Sequence, residues 1–155
     1  MMNRIQDGTF SFQNTEDSPG VLLWQLTSLW QRELKRVIER YDLTYTQFVL
    51  LGATLWLSNQ GEDVTQVYLA TCTRIDPMTT STVLRTLQEK KLISRQEHST
   101  DTRAKNVALT EEGKRVTRQA VKAAEKFDAE FFGPLGERTA DFNKKLILLM
   151  KAWEG

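Results

Sequence analysis

A chain of 155 residues, 40% hydrophobic and 26% charged, has the length and balance of one soluble globular domain with a real core. Its single cysteine excludes an intrachain disulfide framework, and one cysteine with one histidine, His98, leaves no motif for a metal site, so no metal or other cofactor is expected. No stretch reaches the ~20 apolar residues of a membrane span, and Met1 to Thr15 lacks the apolar run of a signal peptide, so a cytoplasmic protein without membrane contact is expected.

Residues 1–17 show no periodicity and read as a flexible arm in which Phe10 and Phe12 alternate with polar residues. Ser18-Pro19 gives a hydroxyl N-cap followed by proline at the first helical position. Leu22, Leu26, Leu29, Trp30, Leu34, Val37, Ile38 and Tyr41 then recur at spacings of three and four, which predicts a long amphipathic helix over 18–41. Thr44-Tyr45-Thr46-Gln47 fits a capping box. The helix it opens is apolar almost all round, which predicts a central, buried element ending at Asn59-Gln60-Gly61. Asp63 or Thr65 is placed to cap a short third helix, and Asp76-Pro77 starts a fourth with Val83, Leu84 and Leu87 as its buried face. Two helices joined by a short turn describe a helix-turn-helix. Ile93–Gln96 and Asn106–Leu109 pair as a hairpin across a charged loop. Thr110-Glu111-Glu112-Gly113 caps a fifth helix that breaks at Gly133-Pro134, and a sixth runs from about Glu137 to Trp153.

The formal charge of +1 announces no partner, but its distribution is uneven. From Thr71 to Asn106 there are seven cations and four anions, against 14 cations and 16 anions in the remainder. Within that segment Met78, Thr79, Thr80, Ser81 and Thr82 form a hydroxyl-rich helix start, suited to the edges of bases and the methyl groups of thymine in a major groove. Arg74, Arg85, Arg95 and Lys105 are candidate phosphate contacts. Ordinary cap polarity and plain surface charge are the competing readings. Cys72 reads as a small buried residue rather than a redox sensor, and His98 as a solvated loop residue. There is no Gly-rich phosphate loop and no nucleophile with a recognisable base, so an enzyme is not expected.

Four pieces in order resemble the MarR family of bacterial transcriptional regulators: Leu43-Thr44 with Gln47-Phe48; Leu69-Ala70; Leu87 to Ile93 followed by Arg95; and Asp101-x-Arg103-Ala104-Lys105 running into Leu109 to Gly113. The resemblance covers about residues 20–153. It departs from the family pattern at Lys91 and Arg74, where glycines are usual, at Thr73, where an apolar residue is usual, and at Thr82, where an arginine is frequent.

The resemblance implies a mainly α winged helix-turn-helix with long N- and C-terminal dimerisation helices and one small β-hairpin wing. Residues 18–155 would form a single MarR-like domain, with the winged core at about 43–110 and the dimerisation helices at about 18–41 and 111–153. It further implies a homodimer that binds double-stranded DNA at a pseudo-palindrome, most often as a repressor. Arg103 would enter the minor groove from the wing tip while Asp101 holds a nearby arginine, Arg95 or Arg74, in register. A small aromatic effector is implied between the dimerisation helices and the reading core, with Trp30, Tyr41 and Phe48 as candidate pocket residues, although aromatics at helical spacing also read as plain core. The alternative function is a protein-interaction module on the same scaffold that does not bind DNA.

Overall fold

The computed structural model describes residues 7–97 and 105–154. It divides into two compact units, Met1–Glu33 and Leu34–Gly155. In the first, the Phe10 and Phe12 rings lie 5.5 Å apart, and a 3-10 turn at Thr15–Asp17 leads into helix α1, Pro19–Ile38, whose last residues from Leu34 on belong to the second unit. The Ser18 hydroxyl accepts the Val21 N–H at 3.4 Å, as the predicted start requires. Leu22, Leu23, Trp24, Leu26 and Leu29 are all exposed along this helix.

The second unit holds α2 (Tyr45–Asn59), α3 (Gln66–Thr73), α4 (Pro77–Glu89), the antiparallel strands β1 (Ile93–Glu97) and β2 (Lys105–Leu109), α5 (Glu111–Phe132) and α6 (Thr139–Trp153). The predicted capping box at Thr44 and Gln47 is present, with both reciprocal bonds made. Leu50, Leu51 and Leu57 of α2 pack into a core with Leu69, Leu84, Leu87, Ile93 and Val107. Full burial of such a leucine stabilises the fold by ~1.5–3 kcal/mol. The expectation that α2 is central and buried holds for Leu50, Leu51 and Leu57, whereas Phe48, Val49 and Leu55 are half-buried and Trp56 is 67% exposed.

Two of the helix ends are Schellman turns, one made as sequence rules expect and one not. After α2, Gly61 takes the left-handed conformation, Glu62 N–H donates to Leu57 O at 3.2 Å and Gly61 N–H to Ser58 O at 3.1 Å. After α4 the same pattern recurs at Lys91, with φ 60°: Leu92 N–H donates to Leu87 O and Lys91 N–H to Gln88 O, both at 3.0 Å. Leu87 and Leu92 are both buried in the core, the apolar contact that accompanies this motif. Lysine therefore carries a left-handed cap at a cost of up to ~1 kcal/mol because its surroundings hold it there.

The start of α5 supplies that hold. Thr110 donates its N–H to Leu92 O at 3.0 Å and its hydroxyl to Lys91 O at 2.7 Å, while the same hydroxyl accepts Gly113 N–H at 2.9 Å. Gly113 is required by contact: a Cβ there would lie 1.9 Å from Leu92 O. The wing is tied to the helix-turn-helix by a bridge between Thr65 and Asn106 and by Val107 N–H donating to Val64 O at 2.8 Å.

After α5, a 3-10 segment at Gly133–Arg138 kinks at Gly136 (φ 52°), the break that Gly133-Pro134 predicts. No residue of α6 is buried within its own chain. No described helix is long and apolar enough to cross a membrane, and no three His, Cys, Asp or Glu among the described residues group to hold a metal ion.

Candidate nucleic-acid interface

Asp76 and Pro77 start α4 for separate reasons. The proline has no N–H to leave unsatisfied, and the aspartate Oδ1 accepts Thr79 N–H at 2.8 Å. The Thr79 hydroxyl and N–H hold the Asp76 carboxyl below its ordinary pKa, so the cap is anionic where the helix dipole favours it. Thr80, Leu84 and Leu87 form the fully buried face of this helix. On the side away from them, Met78, Thr82 and Arg85 follow at i, i+4 and i+7 and are exposed, with Thr79 beside them. Ser81 is half-buried at the edge of the stripe.

Thr80 is a correction to the sequence reading. It is 0% exposed and its hydroxyl donates to Ile75 O at 3.4 Å, so it closes the turn before α4 and presents nothing to a groove.

The cations divide by what holds them. Arg74 ends α3 in the left-handed conformation, φ 57°, and its guanidinium Nη2 donates to the Glu154 carboxylate just beyond α6. Arg95 lies opposite the buried Val107 in the hairpin register, so both share the inner face of the wing. Its Nε donates to Gln88 Oε1 at 2.9 Å and its Nη1 to Gln66 Oε1 at 3.3 Å, which fastens the wing to both helices of the helix-turn-helix. Lys90 donates to the Asp42 carbonyl and lies 3.3 Å from its carboxylate, which ties the end of α4 to the entry of α2. Arg85 and Lys105 are exposed. Asp101, Arg103 and His98 lie outside the described residues.

Of the proposed pocket aromatics, Tyr41 and Phe48 pack against the core, and Trp30 is half-buried in the other unit. Tyr41 also lines an open hollow of about 510 Å³ with Arg40, Lys90, Glu112 and Arg115, a lining more charged than an aromatic guest would ask for. Cys72 departs from its expected burial: it is exposed on α3. Beside it, hydrogen bonds with Glu62 and then Cys72 push the Tyr68 phenol up to about 12. Gln66, Gln88 and Glu154 went unseen in the sequence, because their partners lie 29, 7 and 80 residues away and no local pattern joins them.

A capped recognition helix, a preceding helix across a tight turn and a two-stranded hairpin beside them define a winged helix-turn-helix protein. The family model for the ArnR1-like winged-helix domain matches residues 39–126. The chain is 42% identical over 123 residues to the uncharacterized HTH-type transcriptional regulator YdcH of Bacillus subtilis (strain 168), covering 79% of this chain and 82% of that one. In fold it is similar to Staphylococcus aureus MepR in a DNA complex (TM-score 0.80, 23% identity, covering 88% of this chain and 99% of that one). It is also similar to CouR from Rhodococcus jostii RHA1 bound to p-coumaroyl-CoA (TM-score 0.76, 19% identity, covering 93% and 99%). The chain belongs to the MarR family of winged helix-turn-helix transcriptional regulators, and it is a regulator rather than an enzyme.

Proposed function

We propose that this protein is a homodimeric repressor that reads a pseudo-palindromic operator with α4 and blocks transcription by occupying it. The observation that carries the reading is the exposed stripe of Met78, Thr82 and Arg85, set directly opposite the buried Thr80, Leu84 and Leu87 on a firmly capped helix. Such a helix offers one face to the core and leaves the other for a groove. Thr79 and Ser81 add hydroxyls to that face, and Arg74, Arg95 and Lys105 are the further candidate phosphate contacts. MepR, similar in fold, has been solved on DNA.

Residues 18–155 then act as one domain behind an arm at 1–17, with the reading core at about 43–110. The exposed apolar residues of α1 and α6 support a dimer through those helices. Twofold symmetry sets the two recognition helices roughly 34–36 Å apart, one turn of DNA. Arg103 reaches the minor groove at the wing tip, and Asp101 orients a neighbouring arginine. A small effector releases the protein by favouring a dimer geometry that fits this spacing poorly. CouR, similar in fold and solved bound to p-coumaroyl-CoA, supports a small-molecule effector.

The test is a binding titration across salt on sites selected from random DNA. Affinity falls with a log–log slope of about −0.9 for each phosphate neutralised, and the selected sites are palindromic. Affinity indifferent to salt, or no selection at all, would favour an interaction module that has lost DNA.

A further inference from the structure

The reading helix carries a large apolar side chain where water surrounds it. Met78 is 80% exposed at the second position of α4, and Val67 on the neighbouring α3 is 71% exposed. Between the two helices lies a shallow hollow of about 240 Å³ lined by Val67, Ala70, Thr71, Ile75 and Pro77, the residue before Met78. The other large groups of exposed apolar residues lie on α1 and α6, where the proposed dimer covers them. Met78 lies on neither helix. It heads the stripe that continues through Thr82 and Arg85, and the methyl-bearing Thr79 stands next to it.

In a major groove a thioether side chain finds few apolar surfaces. Base edges there present donors and acceptors, and the C5-methyl group of thymine is the apolar exception. Methionine is also flexible enough to follow such a methyl group along an irregular surface. We infer that Met78 is a specificity-determining residue that selects thymine, through its 5-methyl group, at the operator position facing the start of α4. Thr79 and Thr82 line the same apolar edge with their own methyl groups. The inference rests on the DNA-reading function proposed above and deepens it from DNA in general to a methyl-bearing base at one place.

The test uses the full chain and a duplex obtained by selection from random DNA. Each thymine is replaced in turn by deoxyuridine, symmetrically in both half-sites. This removes the methyl group and keeps every hydrogen-bonding atom. One position should lose about fourfold in affinity per half-site, the value of one buried methyl group. In Met78→Ala that position should become indifferent to the methyl group, whereas Met78→Leu should keep the preference. Because the residue is exposed, both variants should unfold at the parent's temperature, which separates reading from folding. Selected DNA with no methyl-sensitive position, or a sensitivity unchanged in Met78→Ala, overturns the inference alone. A protein that enriches no DNA overturns the reading function and this inference together.

Discussion

Arg74 and Glu154, 80 residues apart in sequence, form an ion pair that joins the turn of the helix-turn-helix to the end of α6. Both side chains are at least half exposed, at 61% and 50%, so the pair is worth only ~0.2–1 kcal/mol. Its consequence is competition. A phosphate that recruits Arg74 must displace Glu154, and the carboxylate repels the approaching DNA. Glu154→Gln should therefore tighten operator binding about two- to fivefold at low salt. Arg74→Ala should weaken binding and make the salt slope shallower by about one. Anisotropy titrations of the two variants decide the matter, and equal affinity for Glu154→Gln and the parent would remove Glu154 from the account.

Lys91 shows a fold holding one residue against its preference. Its φ of 60° suits glycine, yet the turn keeps both Schellman bonds, and Thr110 seals it from the α5 side. Lys91→Gly should stabilise the protein by up to ~1 kcal/mol, less whatever the unfolded chain gains in freedom. The denaturation midpoint should rise with no change in the slope m. A lower midpoint would mean that the lysine side chain contributes more than its backbone costs.

Gly113 is a stricter case. There is no room for a Cβ 1.9 Å from the Leu92 carbonyl oxygen, and that oxygen belongs to backbone already fixed by Thr110. Gly113→Ala should push α5 away from the start of the wing and cost about 2–4 kcal/mol. The loss should appear as a lower melting temperature together with weaker DNA binding. A variant with the parent's stability would show that the α5 start gives way at no cost.

These three sites show how far the sequence could be read. Caps were legible because the signal is local: Thr44 with Gln47, Asp76 with Thr79, and Thr110 with Gly113 lie three residues apart and were found where their patterns stood. The Gly-less turn at Lys91 was visible as a departure, but the sequence alone left open whether the turn or the residue would yield. The face of α4 was half legible. Hydroxyls at 79–82 read as one polar group, although 100° of rotation per residue carries Thr80 to the core beside Leu84 and Leu87. The role of Arg95 was not legible, because the amides of Gln66 and Gln88 that hold it meet only in the folded chain.

The cap of the recognition helix titrates. Asp76 has a folded pKa below its ordinary value through Thr79, so it stabilises α4 above the unfolded-state pKa and loses that contribution as pH falls through the folded one. Asp76→Asn keeps an acceptor oxygen at the N-cap and removes the charge. The stability gap between parent and variant should therefore be constant near neutrality and shrink as the pH drops below the ordinary carboxylate range. Denaturant midpoints measured from pH 7 to about pH 3 would show this. A gap that stays constant to the acid end would mean that the carboxylate titrates alike in the folded and unfolded chains.

Helix α6 buries none of its residues within its own chain yet exposes Leu148, Leu149 and Trp153 at 69%, 60% and 88%. An amphipathic helix of 15 residues has little reason to persist alone in water, because its stability comes from covering its apolar side. A second copy of the chain is the cover proposed here. Leu149→Lys combined with Trp153→Lys should give a monomer at concentrations where the parent sediments as a dimer. The monomer should bind a full palindromic operator more than tenfold less tightly, because the second half-site no longer benefits from the first. Its binding to a single half-site should be nearly unchanged. A variant that remains dimeric would move the interface away from α6, and a monomer that keeps full operator affinity would show that each reading head works alone.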